Sequence, residues 1–248
     1  MVGAACASLM GSQVLSVYEN GVGAINLPYR ASAVGLDHSR SVHPLTLLKV
    51  SEVVSELLGE KFLVQNPFLF WTKAEMCQAL AEDGNIDLPS LTKSCDSSHL
   101  KHKQPSQCGY CSSCILRKQA LAAAKIKDKT RYVVPHGNRP AGDPSLHWRH
   151  MLVQVSTFHK LLSTSNDIAL QWEAFTGESS FSTLEYIIDR TDEIEGLSPT
   201  EMQSRLIRLY QTYVAEWDSV ESQIAAPFLD IDCEQQASHL RLLHKVVG

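Results

Sequence analysis

The period of the apolar positions changes several times along the chain, and each change marks an element. Gln13 to Tyr18 is a short apolar run ended by Glu19-Asn20-Gly21, the pattern of a strand that delivers polar residues at its carboxyl end. Asn26 to Arg40 is expected to be loop, with Pro28 and Gly35 as breakers. Pro44 then opens a helix in which Leu47, Leu48, Val50, Val54, Leu57 and Leu58 keep helical spacing, and Gly59 closes it. Lys61 to Gln65 predicts a second strand, stopped by Asn66-Pro67. Thr72-Lys73-Ala74-Glu75 is a capping box: the Thr72 hydroxyl accepts from the Glu75 amide while that carboxylate reaches back. It starts a helix to about Glu82, before Gly84. Ile115 to Lys125, rich in alanine, leucine, lysine and glutamine, predicts another.

Beyond this point the pattern is all helical. Residues 126–144 contain Pro135, Gly137, Pro140, Gly142 and Pro144, and 132–144 is expected to be a linker between residues 1–131 and a helical region, 145–248. Trp148, Met151, Leu152, Val155, Phe158 and Leu162 form one stripe. Ser198-Pro199-Thr200-Glu201 is a second capping box, launching a helix to about Ala225 whose stripe is Met202, Leu206, Leu209, Tyr213, Trp217, Val220 and Ile224. A last helix is expected over about Glu234 to Val247. The stripes are expected to be core or partner-helix contacts. The first 131 residues offer only two clear strands, and an isolated pair is marginal in water, so they are expected to form part of a larger α/β domain.

Composition supports a folded chain: 44% of the 248 residues are hydrophobic and 20% charged. No apolar run approaches the roughly 18 residues that span a bilayer, and the first ten residues lack the basic flank of a signal peptide, so a cytoplasmic protein is the expectation. The net charge of −5 hides blocks. Lys93 to Arg131 holds 9 basic and 2 acidic side chains, whereas residues 165–248 hold 5 basic and 15 acidic. The basic island can compensate a metal–thiolate site or attract phosphate.

That island carries the chemistry. Cys95, Cys108, Cys111 and Cys114 are spaced Cys-x12-Cys-x2-Cys-x2-Cys, and in a reducing compartment such spacing suits a tetrahedral zinc site before disulfides. Cys95 is preferred as fourth ligand over His102 or His99. An iron–sulfur cluster of the bacterial ferredoxin type would want a further cysteine where Lys118 stands. Four thiolates leave no open position, so the ion would be structural. Cys6, Cys77 and Cys233 are expected to be isolated buried thiols.

Several segments in order resemble the 7-cyano-7-deazaguanine synthases of queuosine biosynthesis. They are Glu19-Asn20-Gly21, Asn26-Leu27-Pro28, Ser39-Arg40-Ser41-Val42-His43-Pro44, Asn66-Pro67-Phe68, Thr72 to Met76, and the cysteine cluster through Arg117. The likeness covers about residues 12–131 and looks closer to the longer paralogues, some belonging to bacterial anti-phage defence systems. It implies a partial parallel α/β nucleotide-hydrolase (PP-loop ATPase-like) domain that ends in a four-cysteine zinc site at 95–114, followed by the all-α acidic region. It also implies adenylation of a deazaguanine carboxylate by ATP with magnesium, then amide and nitrile formation. The Ser-Gly-Gly-x-Asp-Ser loop that holds ATP in that family is absent from this sequence, so a truncated or split enzyme is expected, inactive unless a chain carrying that loop, or a second copy, completes it.

Glu19 and Asn20, at a strand's carboxyl end, are candidates to face nucleotide or base, against a satisfied turn. Arg40 and His43 are candidates for substrate carboxylate or phosphate, against a solvated arginine and a helix-capping histidine. Arg117 either braces the metal loop or reaches phosphate. Two alternatives stand beside the enzyme: a zinc-stabilised module whose basic island binds nucleic acid, and an assembly module whose acidic helices dock a protein.

Overall fold

The computed structural model describes residues 2–29, 41–96, 107–134, 147–178 and 180–229. Arg40, His99, His102, Cys233, most of the expected linker and the expected last helix lie outside the described residues.

The architecture is mixed α/β and mostly helical. Helix α1 (Val2–Leu9) precedes strand β1 (Val14–Ser16), and helix α3 (Pro44–Leu58) crosses over to strand β2 (Leu63–Gln65). The two strands pair in parallel, Val14 with Leu63 and Ser16 with Gln65. Leu15, Val17, Phe62 and Val64 turn to one face, where Ala4, Leu47, Val50 and Val54 cover them. His43 caps α3, Pro44 stands in its first turn and Gly59 ends it in the left-handed region, as the pattern predicts. Two serines of α3 also serve the sheet. Ser51 Oγ accepts from the Val64 amide at 2.8 Å and Ser55 Oγ from the Phe62 amide at 2.8 Å. The outer edge of β2 is thus closed by side chains, whereas no strand among the described residues pairs with the other edge of β1.

Glu19-Asn20-Gly21 follows the end of β1, as the pattern has it, and leads into a short helix the sequence did not show, α2 (Gly21–Ile25). Asn20 is its N-cap and accepts from the Gly23 amide at 2.9 Å. Two glycines within five residues masked the helix in the sequence. Gly21 is needed for close approach: a Cβ there would lie 1.9 Å from the Leu69 carbonyl oxygen and 2.8 Å from Leu209.

Helix α4 (Lys73–Glu82) begins with the expected capping box, both halves formed. After the short α5 (Leu88–Leu91), helix α6 (Ser112–Ala123) follows the cysteine knuckle, three residues earlier than its composition predicts. The second region comprises α7 (His147–Leu162), α8 (Ile168–Gly177), a 3-10 turn Ser182–Leu184, α9 (Glu185–Ile188), α10 (Thr191–Ile194) and α11 (Pro199–Leu229). Helix α11 starts with the Ser198–Glu201 box and continues beyond the expected Ala225. Met202, Leu206, Leu209, Tyr213 and Trp217 of its stripe, with Met151, Phe158 and Phe175, share one core with Val22, Ile25, Leu69, Ile115 and Leu116 of the first region. Gln154 donates to the Leu27 and Pro28 carbonyls at 3.0 Å each, from inside that core. No helix among the described residues is long and apolar enough to cross a membrane.

Candidate metal centre and neighbouring site residues

The knuckle is built by a strained turn. Gly109 sits at φ +91°, and a Cβ there would meet the Val134 carbonyl oxygen at 2.3 Å, so only glycine fits. The 107–108 backbone is held against 132–134, Val133 and Val134 donating to the Gln107 and Cys108 carbonyls at 2.8 and 3.0 Å. Cys111 is the N-cap of α6 and Cys114 lies in its first turn. The helix start and the turn therefore aim three sulfurs at one point, and positive helix-end potential favours their thiolates.

Cys95 completes the set: all four sulfurs lie within 4.8 Å of one another. Cys108 and Cys114 Sγ are 3.9 Å apart, as are Cys111 and Cys95 Sγ. A tetrahedron with metal–sulfur bonds of about 2.3 Å has edges of about 3.8 Å; two sulfur pairs stand at that spacing and the set has only to draw in slightly to hold one ion. Cys108 Sγ accepts from the Tyr110 and Cys111 amides at 3.5 and 3.3 Å, and Cys95 Sγ from the Cys108 amide at 3.4 Å. Hydrogen bonds from the Cys111 and Cys114 thiols, and then these amides, pull the Cys108 thiol far below its usual value. The crowded neighbours Cys108 and Cys111, then burial, push Cys114 up. The four crowded thiols therefore do not all ionise together without a cation, and a divalent ion that takes up their charge resolves the crowding.

The strap that carries Cys95 is fixed by residues around it. Arg117 is buried and donates to Thr130 Oγ1 (3.1 and 2.9 Å), Thr92 Oγ1 (2.8 Å), Ser94 Oγ (3.3 Å) and the Pro89 carbonyl. Its fork is committed to bracing the 89–94 strap. Asp96 accepts from Ser112 and Ser113 at 3.2 and 2.5 Å, pinning the far side of Cys95 to the start of α6. Gln107 accepts from the Ser94 amide at 3.1 Å and donates to the Thr92 carbonyl at 3.3 Å. Lys118 donates to the Gly109 carbonyl at 2.9 Å and lies 4.4 Å from the Tyr132 ring centre. Lys129 pairs with Asp87 at 2.6 Å. Sequence reasoning singled out neither Asp96 nor Gln107. The contact of Asp96 with Cys95 in sequence was the one available signal.

Cys77 is buried, as expected, but Cys6 is exposed on α1, because that face of the helix has no packing partner among the described residues. Tyr29 joins the metal side to the core: burial, then the charges of Asp96 and Cys111, raise its phenol.

The remaining candidates are not brought to the thiols. His43 is buried and its Nδ1 accepts from the Leu45 amide at 3.3 Å. Asn20 is buried as the α2 cap, and the Glu19 Oε1 accepts from the Asn20 amide at 3.0 Å and from its side chain. Asn66 clamps this turn, donating to the Glu19 carbonyl at 2.7 Å and accepting from the Glu19 amide at 3.3 Å.

A second polar centre went unnoticed in the sequence. The Glu216 carboxyl, from α11, accepts the Thr72 hydroxyl and the Gln119 amide at 3.4 Å. Burial pushes it up to about 7.

Residues 45–125 match the family model described as queuosine biosynthesis protein QueC. Over 86 residues the chain is 40% identical to 7-cyano-7-deazaguanine synthase 1 of Sulfurisphaera tokodaii, covering 33% of this chain and 39% of that protein. It is 35% identical over 75 residues to the 7-cyano-7-deazaguanine synthase of Coxiella burnetii, and 40% identical over 75 residues to that of Ralstonia pickettii; each match covers 30% of this chain and 31% of the relative. No solved structure matches the chain. From α3 to the end of α6, then, the chain is QueC-like, and the matched stretch spans between three and four tenths of the length of these relatives.

Proposed function

We propose that this chain is the zinc-anchored part of a 7-cyano-7-deazaguanine synthase-like enzyme. One observation carries the reading: the QueC-like stretch contains all four cysteines, and their sulfurs lie within 4.8 Å of one another, close enough to gather round one zinc ion. With four thiolates and no open position, the ion is structural. Zinc with four thiolates leaves a net double negative charge, which the buried Arg117 and half-buried Lys118 offset from the same helix.

In the reaction proposed, ATP adenylates the carboxylate of a deazaguanine acid and releases pyrophosphate. Ammonia displaces AMP to give the amide, and a second activation dehydrates it to the nitrile. This chain's share is the carboxyl ends of β1 and β2, with Glu19, Asn20, Arg40 and His43 as the candidate residues around substrate. A Ser-Gly-Gly-x-Asp-Ser loop has to come from outside these 248 residues, on the same or another polypeptide. The strands carrying it would join at β1, since the outer edge of β2 is closed by Ser51 and Ser55.

The test is pyrophosphate and AMP release by the zinc-loaded chain, alone and with a polypeptide carrying the loop, given ATP, ammonium and 7-carboxy-7-deazaguanine. Acid-dependent release only in the presence of the loop is expected. No release from a zinc-loaded complex overturns the reading.

A further inference from the structure

Beyond the carboxyl ends of the two parallel strands lie three aromatic rings, two exposed and the central one, Phe68, half-buried. Tyr18 follows β1 and is 66% exposed, Phe68 follows β2, and Trp71 is 40% exposed just before the α4 cap. The Tyr18 and Phe68 ring centres are 5.8 Å apart, and those of Phe68 and Trp71 are 5.3 Å apart with the rings at 80°. Large rings left in water at this density are uncommon without a partner. Their placement is fixed by the backbone. The Asn66 side chain ties the Glu19 backbone to the Phe68 amide, the latter at 3.1 Å, and the Trp71 carbonyl accepts from the Gly21 amide at 2.8 Å. A rigid turn therefore presents three rings where parallel sheets bind ligands.

The surroundings are polar. Gln65 donates to Ser16 at 3.2 Å on the same sheet face as Tyr18. Beside Tyr18, the Glu19 Oε1 is engaged within its own turn, and among the described residues no hydrogen bond engages Oε2. The rings stand at 52° and 80° to one another, so they form an aromatic wall rather than a flat stack; an open ring face on that wall with a carboxylate oxygen beside it suits a fused heterocycle bearing N–H donors. A hydrophobic protein partner would leave that carboxylate oxygen unpaired.

We propose that Tyr18, Phe68 and Trp71 are a stacking platform for a purine-like heterocycle, with Glu19 accepting an N–H from its edge. This rests on the synthase reading only for which heterocycle is bound: the base of the acid substrate, or the adenine of ATP.

The full zinc-loaded chain is titrated separately with 7-carboxy-7-deazaguanine and with ATP, following tryptophan emission and, independently, calorimetric binding. One of the two is expected to quench saturably. Tyr18→Ala and Trp71→Leu each weaken that binding by about tenfold, as loss of one stacking ring does. Trp71→Phe keeps a ring, and so retains affinity while losing most of the quenching. Tyr18→Ala leaves melting unchanged because that side chain is largely exposed, and Trp71→Phe keeps an aromatic contact with Phe68, so these two variants separate binding from folding. Platform-dependent binding of ATP alone supports the platform while counting against the deazaguanine assignment. Binding of the acid with an affinity indifferent to all three substitutions overturns the platform and leaves the synthase reading standing. Binding of neither ligand overturns the platform.

Discussion

The Thr72 hydroxyl, which caps α4, donates to the Glu216 carboxyl, 144 residues further along the chain. The same oxygen of Thr72 accepts from the Glu75 amide at 3.1 Å. A helix cap in the QueC-like stretch is thus completed by α11, and the junction is a carboxyl buried between α4, α6 and α11.

This carboxyl makes stability depend on pH. Burial raises Glu216 from 4.5 to about 7 in the folded chain, with Glu75 also raising it and the hydrogen bonds from Thr72 and Gln119 and the charge of Arg208 opposing. The folded state keeps the proton where the unfolded chain has lost it. The contribution is full below about pH 4.5 and is lost as pH rises through about 7, at most about 3 kcal/mol. Glu216→Gln should flatten the melting temperature over that interval, and should melt above wild type at pH 8. An unchanged slope in a pH series of thermal melts would contradict this.

Arg117 should act on metal affinity from outside the ligand set. Arg117→Lys removes the fork and leaves Thr130 and the Pro89 carbonyl without their donor, costing about 2–3 kcal/mol. Loosening of the strap should also weaken zinc binding in competition with a chromophoric chelator. Zinc affinity equal to wild type would show that the strap is fixed by something else.

Two glycines at positive φ give a paired test. Gly109→Ala places a methyl 2.3 Å from a carbonyl oxygen and should abolish the metal site. Gly84→Ala, at φ +76° with nothing within 4 Å, should cost only about 1–2 kcal/mol and leave metal content intact. Equal metal loss in both would mean that general instability, not the knuckle, is at fault.

Sequence pattern made much of this legible, for identifiable reasons. Helices α3 and α4 and the start of α11 declare themselves because caps are local: His43-Pro44, Thr72 with Glu75, and Ser198 with Glu201 are read within four residues. The thiol cluster was legible because three of its members share one turn and one helix start. Helix α2 was not, since Gly21 and Gly23 look like a turn until Asn20 is seen to cap them. Glu216 was not, because a single acidic residue on an amphipathic helix resembles the solvent face; only packing places it beside Thr72 and Gln119. The sequence left a ligand or a satisfied turn as alternatives for Asn20, and a ligand or a helix cap for His43. The structure places both side chains in cap hydrogen bonds.

The most direct measurement is metal content of the purified full chain by mass spectrometry, alongside a thermal melt with and without a strong chelator. One zinc per chain is expected, lost in Cys95→Ser and in Cys108→Ser, with a lower melting temperature whenever it is removed. A chain that retains no metal when purified with zinc present, and melts identically with chelator and in both cysteine variants, would contradict this.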